Sequence, residues 1–555
     1  VGSEMCIRDR TEDYWTLRDL CTSEIRGFFK TSELPAKNEA KISDSFLQKV
    51  SANQLSMDFS DMDIDPTHSR IVLGGLIPML WNLQKIRPKW LVQRSVKDWF
   101  DPVTQGMWYK SPKYRGIVNE YSNVRCTFAN DSLIYLALPT KGIFVFDLDS
   151  RCKKHIELDE FVNQLHRHKD YIVAELYLHS PAILKVGEDI PRSLVASNGA
   201  SLPFRNISNI SDQGWFLGVC PGPDQHCLIG KLHSDGTASW DELYNARGSQ
   251  KSSEARMILS DSAKSFTFLP RHDDRMSIRS LDINDNDWNR SDVNDYHCDF
   301  ARSYTPYSGA FLNDSTFAVG TVFGECFIGS ASQWKVLNQN NIKDPLLNHS
   351  GAVIGVESFG DTMFITADSY GTLRIFDSST YELLMTMMYF PDSGDYIAYT
   401  PDNYYKATKG AVDKIFYAKG LDSFTFRQFD LKYNRPDIIM QRLGGDEAEI
   451  RILRSAWEKR LKRMGFDQST VMSAESHAPE LVINNRDKLS GSTASGRVML
   501  DITASDSLTT IQSLHVLIND VPVYSQKGIQ TAIANRHTET LDVALAEGSN
   551  VITVY

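Results

Sequence analysis

Four side chains near the middle of the chain have the types that bind zinc. Cys152, His155, His166 and His168 would supply the sulfur and imidazole ligands that this metal prefers. Their spacing is CxxH, then ten residues, then HxH, which fits no zinc motif that we can identify. The run RCKKHIEL around the first two is typical of a basic, solvated edge. The sequence therefore predicts no zinc site here.

A second stretch has the carboxylate density of a calcium-binding loop. It is the run DINDNDWNRSDVND, residues 282–295. An EF-hand loop needs glycine at its sixth position and glutamate at its twelfth. Asp287 and Val293 occupy those positions here, so we predict a polar loop between strands.

No other motif supports catalysis. The sequence has no P-loop, no GxSxG and no GxGxxG followed by a helix. None of its eight cysteines belongs to a CxxC pair, and buried, reduced thiols are predicted, which favours a cytoplasmic location. Pairing of Cys220 with Cys227, the two closest cysteines, is left open. We predict no metal and no cofactor.

Length and charge narrow the class of protein. A chain of 555 residues, 42% of them hydrophobic, is expected to form two or three domains with sizeable cores. Its formal net charge of -11 without a basic run argues against nucleic acid as a partner. No stretch approaches the roughly 20 uninterrupted apolar residues of a membrane span.

Short strands are predicted throughout residues 51–443. Apolar runs recur between turn-forming residues, and few have a helical period. One unit is repeated loosely, a strand, a turn with glycine and a strand ending in an aromatic residue, and its copies are Ser69–Leu83, Ser132–Leu148, Ser315–Ser330 and His349–Leu384. The pairs that mark unit ends are Trp81-Asn82, Phe146-Asp147 and Trp240-Asp241. At about 40–50 residues per unit we expect seven.

The unit His349–Leu384 resembles a WD40 repeat. Asn348-His349 stands where that family has Gly-His, and Phe376-Asp377 stands where it has Trp-Asp. The segment YGTLRIFD matches the usual DGTVRLWD, with Tyr370 in the place of the turn aspartate. The resemblance implies a mainly β fold with a seven-bladed, WD40-like β-propeller in residues 51–443, whose faces bind proteins or peptides. The alternative is a chain of β-sandwiches with chance matches.

The side chains of this repeat have structural roles in the prediction. Gly371 suits a turn that needs positive φ. Leu373 and Ile375 alternate with Thr372 and Arg374, which predicts burial on one side only. Phe376 would fill the position that tryptophan usually fills.

His349 and Asp368 have the residue types of an acid–base pair. In a WD40-like blade, however, this histidine and aspartate usually form structural hydrogen bonds between strands. We therefore predict a structural role and no catalytic residue.

Residues 394–445 resemble the region that closes the propeller in bacterial proteins joining WD40-like repeats to a caspase-like, metacaspase-type peptidase. The matching positions are Gly394, Asp395, Tyr396, Thr400, Pro401, Asp402, Tyr404, Tyr405, Asn434, Arg435, Pro436 and Asp437. Asn403 replaces the usual glycine, and asparagine also tolerates a left-handed turn. This region is therefore predicted to be a junction.

The stretch RQFDLKYNRPDIIMQRLGG, residues 427–445, is predicted to be the propeller's exit. Phe429 and Leu431 would complete a last strand, and Pro436 would end the pairing because it has no N–H. A linker, residues 444–478, would then contain a helix that Asp446 and Glu449 cap and Gly465 ends. The apolar stripe of this helix is Ile450, Leu453, Trp457, Leu461 and Met464.

Residues 479–555 alternate apolar and polar positions and have a hairpin turn at Asn519-Asp520. They resemble the small immunoglobulin-like β-sandwich that precedes the peptidase in the same bacterial proteins, and Leu545–Ile552 matches its last strand. A caspase-like site needs a cysteine and a histidine on an α/β sheet. No cysteine follows Cys326, so this chain is predicted to be a non-catalytic interaction region of a longer peptidase. The alternative is an enzyme with a site in the propeller's channel.

The first residues have a different character. Residues 1–10, VGSEMCIRDR, resemble a translated adapter and are left out of the fold prediction, so the native start is expected to be missing. Residues 11–50 form a partial segment in which the spacing of Leu17, Leu20 and Ile25 suggests a helix. A helix or a loop is also expected between Arg151 and Asp170.

Overall fold

The structure is a computed structural model that describes residues 59–91, 124–245, 256–336, 349–464 and 479–555, each with short internal gaps. It also describes the backbone of three antiparallel strands, Glu4–Arg8, Tyr14–Asp19 and Ile25–Lys30. The chain forms two compact units, the first with residues 1–423 and 435–451, the second with residues 424–434 and 452–555.

Six four-stranded antiparallel sheets and a seventh sheet of six strands follow one another in the described part of the first unit, and we call them blades I to VII. Blade I contains Phe59–Ile64, Arg70–Gly75, Met79–Asn82 and Arg87–Trp90; blade II contains Arg125–Phe128, Leu133–Leu138, Gly142–Asp147 and Cys152–Ile156; blade III contains Val162–His168, Tyr171–Leu176, Ala182–Lys185 and Arg192–Ser193; blade IV contains Asn206–Ile207, Trp215–Val219, His226–Leu232 and Ala238–Asn245. Blade V contains Arg256–Leu259, Ser265–Leu269, Arg275–Ser280 and Tyr296–Asp299; blade VI contains Pro306–Asn313, Thr316–Thr321, Cys326–Ser330 and Trp334–Val336; blade VII contains Val353–Phe359, Met363–Asp368, Leu373–Asp377 and Leu383–Phe390.

Two blades carry additions. Within blade V, a hairpin of Asp282–Asn284 and Asp287–Asn289 precedes the fourth strand. Blade VII is extended by Asp395–Tyr399 and Tyr405–Ala407.

The first strands of the blades line the inside of a closed ring. In most pairs of successive blades the first strands are in contact, and the first strand of blade VII also contacts that of blade I. At this closure the N–H of Phe59 donates to the carbonyl of Ser369 over 3.0 Å. Met62 packs so closely on Gly355 that a Cβ there would lie 2.5 Å from the Cβ of Met62. The fold is a mainly β, seven-bladed β-propeller, as the sequence predicts.

The burial of blade VII differs from the prediction. Leu373 and Ile375 are buried, but Thr372 and Arg374 on the opposite side of the strand are buried too. The one-sided pattern was wrong because a propeller blade is packed between two neighbouring blades, so both of its faces are covered.

Other predicted elements are also corrected. The proposed helices near Leu17 and between Arg151 and Asp170 are strands, whose aromatic and β-branched residues favour extended backbone. Trp81 and Phe146 lie near the ends of third strands as predicted, whereas Trp240 lies inside the fourth strand of blade IV.

Helical segments follow the propeller. Helix α1 is Lys409–Val412, and a hairpin of Phe416–Lys419 and Asp422–Thr425 follows it. The 3-10 turn Phe426–Phe429 then leads into helix α2, Asp430–Tyr433. Helix α3 is Pro436–Arg442, and helix α4 is Glu447–Met464. The predicted last strand at Phe429 and Leu431 is therefore wrong. Pro436 starts α3, where its missing N–H needs no partner.

Helix α4 matches its predicted start. The carboxylate of Asp446 accepts the N–H of Glu449 over 2.9 Å. Trp457 and Leu461 of the apolar stripe are buried. Gly465 lies outside the described residues.

The second unit has its own β core. Its strands are Glu480–Ile483, Arg497–Ser505, Ile511–Leu514, Val516–Ile518, Val521–Pro522, Ile529–Ala534, Arg536–Ala544 and Ile552–Val554, and Arg486–Lys488 forms a 3-10 turn. They form three small antiparallel sheets, and Ile502, Leu514 and Val543 belong to one shared core. Asn519 has a φ of 51° in the predicted hairpin turn, and Asp520 lies outside the described residues.

Candidate functional site

The predicted pair in blade VII forms a buried hydrogen-bond network. Nδ1 of His349 lies 3.2 Å from Oδ2 of Asp368, and Nε2 lies 2.6 Å from Oγ1 of Thr366. The other oxygen of Asp368 accepts the N–H of Tyr370 and of Thr372 over 3.0 and 2.8 Å. Burial lowers the pKa of His349, so its imidazole is held neutral. These side chains connect the strands and turn of one blade.

The rest of this repeat serves packing and turns. Gly371 has a φ of +80°, and a Cβ there would lie 2.5 Å from the Phe59 ring. Phe376 stacks on Phe364 with ring centroids 4.9 Å apart. A hydrogen bond from the Ser379 hydroxyl, with backbone donors of the turn, lowers the pKa of Asp377 to about 2.

The junction residues also form a structural network. Tyr405 is fully buried, and its carbonyl accepts the N–H of Arg435 over 3.0 Å. The Arg435 guanidinium binds both oxygens of Asp437 over 2.9 and 2.7 Å, with both side chains buried. Asn434 donates to Asp430 over 2.7 Å, while Tyr404 is only partly buried. Asn403 adopts a φ of 72°, as a left-handed turn requires.

The four zinc-type residues lie on two blades. Cys152 and His155 belong to the fourth strand of blade II, whereas His166 and His168 belong to the first strand of blade III. His155 stacks on Phe144 at 4.1 Å. Among the described residues, no group of three or more His, Cys, Asp or Glu side chains is arranged to hold a metal ion. Asp282–Asn284 belongs to the hairpin in blade V, and Val293 and Cys220 lie outside the described residues.

The sequence did not reveal that polar side chains join neighbouring blades. The side chains involved are carboxylates, an amide and a hydroxyl, and the bonds are Cys126 N–H to Asp61 at 2.9 Å, Phe128 N–H to Asp63 at 2.7 Å, Ile207 N–H to Glu175 at 3.0 Å, Leu259 N–H to Asn209 at 2.8 Å and Ser308 Oγ to the Val353 carbonyl at 2.6 Å. Each joins one blade to the next. The acidic residues Asp61 and Asp63 within the strand FSDMDI were the sequence feature that could have indicated two of these hydrogen bonds.

A set of ionisable side chains from several blades was missed as well. Burial, followed by the charges of Asp63, Asp261 and Asp61, raises the pKa of Glu357 well above its usual range, and Arg167 opposes the shift. Burial also raises the pKa of Asp63, again against the charge of Arg167. These groups come from blades I, III, V and VII, so only the closed ring brings them together.

One end of the ring presents a repeated acidic residue. The turns after the first strands of blades II to VI each place an aspartate at the surface, and these are Asp131, Asp170, Asp212, Asp261 and Asp314. The strands follow the same order in each of these blades, so the five turns lie at the same end. Partial burial, then the charges of Asp212 and Asp314, raises the pKa of Asp261. The N–H of Asp212 donates to the carbonyl of Asp261 over 3.4 Å.

Comparison with solved structures gives matches of very low sequence identity. The β-propeller domain of Cps50 (Swd1) from Myceliophteria thermophila has a TM-score of 0.41 and 9% identity, over 58% of this chain and 97% of that one. Hydrazine synthase from Kuenenia stuttgartiensis has a TM-score of 0.37 and 10% identity, over 58% and 96%. KlHsv2 with an altered loop has a TM-score of 0.37 and 9% identity, over 63% and 97%. These are likenesses of fold alone.

Sequence comparisons identify no relatives. No protein-family model matches the chain, and no curated protein matches it. The ring of seven blades by itself defines the class of fold as the β-propeller. The described residues include no helix that is long and apolar enough to cross a membrane.

Proposed function

We propose that this chain is a non-catalytic, protein-binding propeller. The observation that carries the proposal is the use of the polar side chains at the boundaries between blades. Asp61, Asp63 and Glu175 accept backbone N–H groups of the next blade, so these carboxylates hold the ring together. Side chains committed in this way are poor candidates for reacting with a substrate.

The end of the ring that carries the exposed aspartates is the preferred binding face. Asp131, Asp170 and Asp212 are spread over three blades at the surface, where they attract positive charge. A peptide segment rich in lysine and arginine has the matching charge. We therefore propose a basic protein segment as the partner.

Peptide binding by the full chain tests this face. Fluorescent basic peptides should bind at low salt, and matched acidic peptides should not. The combined change Asp131→Lys and Asp170→Lys should weaken binding at least about tenfold, because it reverses two of the charges that attract the peptide. Glu157→Lys reverses one charge at the opposite end of blade II and should leave binding unchanged. Equal binding by both variants, or no binding at all, would contradict the proposal.

We also propose that the chain is the interaction region of a longer, caspase-like peptidase. Support comes from the residues of the junction, Tyr404 to Asp437, and from the resemblance of residues 479–555 to an immunoglobulin-like module. The reading frame beyond Tyr555 should encode a histidine and a cysteine on an α/β pattern. Caspase-type peptides should not be cleaved by this chain alone, and cleavage would overturn the assignment. A cytoplasmic location stays a prediction.

One observation favours the enzymatic alternative. Glu357, whose pKa is raised, lies near Asp63 and Arg167 inside the ring, and such perturbed groups are frequent at active sites. A hydrolase or lyase with Glu357 as its acid would lose activity in Glu357→Gln. Chromogenic glycoside, ester and uronide substrates should show no turnover if the binding proposal is right.

A further inference from the structure

A lysine on the outermost strand of one blade binds the next blade in the same way at two boundaries of the ring. Lys154, on the fourth strand of blade II, donates from Nζ to the carbonyls of Gly187 and Glu188 of blade III over 3.1 and 2.7 Å. Lys89, on the fourth strand of blade I, donates likewise to the Leu148 carbonyl of blade II. All of these acceptors lie in the turn between the third and fourth strands of the receiving blade. We call this contact a lysine bridge.

The boundary between blades VII and I has a lysine bridge that starts from a different strand. The fourth strand of blade VII, Leu383–Phe390, contains no lysine, and the added strand Asp395–Tyr399 pairs with its outer edge. Lys406 lies on the second added strand, which is the outermost strand of this blade. Its Nζ donates over 2.8 Å to the carbonyl of Lys85, in the turn between the third and fourth strands of blade I. The added strands therefore supply the bridge that the fourth strand cannot supply.

An aromatic contact also joins the added strands to blade I. Tyr396 lies edge-on to Trp81, with ring centroids 6.3 Å apart and 83° between the ring planes. Trp81 belongs to the third strand of blade I and is fully buried. Helix α3 contacts the same strands, because Sδ of Met440 lies 3.9 Å from Nζ of Lys406. The added strands are thus packed against blade I and are not a free edge.

The position of this bridge in the ring gives it more weight than the other two. Blades II and III are joined by the short chain between Ile156 and Val162, so they stay neighbours if their bridge breaks. Blades VII and I are far apart in sequence, and bringing them together costs the entropy of closing a long loop. Only noncovalent contacts hold this boundary, among them the hydrogen bond from Phe59 N–H to the Ser369 carbonyl, at 3.0 Å.

We propose that the added strands of blade VII, residues 395–407, are a strap that holds the two ends of the ring together. The strap acts through the lysine bridge from Lys406 and the contact of Tyr396 with Trp81. The inference does not rest on the proposed binding function, because it concerns only how the ring closes.

Hydrogen exchange of single backbone amides in the full chain tests the strap. The Phe59 amide donates across the boundary between blades VII and I, whereas those of Ile207 and Leu259 donate across the III–IV and IV–V boundaries. In Lys406→Met the Phe59 amide should exchange about tenfold faster, because a hydrogen bond from a charged donor is lost at the closure. The Ile207 and Leu259 amides should keep their wild-type rates.

Lys154→Met is the matched control, since it removes the same kind of bridge from a partly buried lysine at a boundary that a short chain connects. It should leave the exchange of the Phe59 amide unchanged. Lys406→Arg keeps a charged donor and should exchange as the wild type does. An unchanged Phe59 rate in Lys406→Met, or an equal increase at the Phe59, Ile207 and Leu259 amides, would overturn the strap.

Tyr396→Leu tests the strap through its other contact and replaces Lys406→Met if that variant does not fold. It removes the ring that faces Trp81 but keeps an apolar side chain. The Phe59 amide should exchange about threefold faster, because an aromatic pair is lost, and the Ile207 and Leu259 amides should not change. Equal rates at Phe59 in Tyr396→Leu and the wild type, or a uniform increase at all three amides, would refute the proposal.

Discussion

At the scale of single residues, the histidine and aspartate that look like catalytic groups are structural. His349 is 4% exposed and Asp368 is fully buried, and both are occupied by neighbouring strands and turns. The sequence indicated this role through the resemblance to one repeat. The sequence could not indicate the raised pKa of Glu357, because the charged groups that shift this pKa come from three other blades.

Removing the imidazole should therefore cost stability. His349→Ala removes the imidazole that faces Oγ1 of Thr366 and Oδ2 of Asp368 in a buried site, and we expect a loss of about 2–4 kcal/mol in the unfolding free energy. Asp377→Asn keeps the side-chain oxygen that accepts the hydrogen bonds of Ser379 and Thr380, and it should cost less than about 1 kcal/mol. Thermal and denaturant unfolding of the two variants measure the difference. A His349→Ala protein as stable as the wild type would contradict the structural role.

At the scale of elements, the turns and the exit segment depend on a few backbone conformations and one ion pair. The residues GDYIAYTPDNYY belong to the predicted junction, and they extend blade VII by Asp395–Tyr399 and Tyr405–Ala407. The later residues Phe429 and Leu431 were predicted wrongly as part of a strand, and they belong to a 3-10 turn and to helix α2. Local pattern alone could not separate a short strand from a short helix there.

The turn at Gly371 should not tolerate a side chain. In Gly371→Ala the added Cβ meets the Phe59 ring, in addition to the strain of positive φ, and we expect a loss of about 2–4 kcal/mol. Gly187 also has positive φ, +94°, but a Cβ there meets nothing within 4 Å. Gly187→Ala should cost only about 1 kcal/mol. Chemical denaturation compares the two, and equal losses would show that contact with Phe59 contributes nothing.

The buried ion pair of Arg435 and Asp437 should contribute far more to the unfolding free energy than an exposed ion pair does. Arg435→Met leaves Asp437 charged and buried, and we expect a loss of about 3–5 kcal/mol. Arg442 pairs with Asp402 over 2.6 Å, but these side chains are 31% and 49% exposed. Arg442→Met should therefore cost about 0–1 kcal/mol. Denaturant titration of both variants checks this order, and the reverse order would be incompatible with it.

At the scale of the whole molecule, each compact unit has its own core. Ile365 is fully buried in blade VII, and Ile502 is fully buried in the core of the second unit. Units with separate cores are expected to unfold as separate cooperative transitions.

Calorimetry with one cavity variant per unit tests this expectation. Ile365→Ala and Ile502→Ala should each cost about 2–5 kcal/mol, because each leaves a cavity in a packed core. Each change should lower the temperature of one transition and leave the other in place. A single transition that both variants shift would show that the units unfold together.

The sequence by itself determined the mainly β class, the repeated strand pairs and the left-handed turn at Asn403, because these depend on local alternation, turn residues and short motifs. Only the tertiary structure decided which polar residues hold neighbouring blades together and which ionisable side chains of distant blades interact. The physical reason is distance along the chain. Asp61, Arg167, Asp261 and Glu357 are brought together by ring closure, and local pattern carries no information about which blades become neighbours.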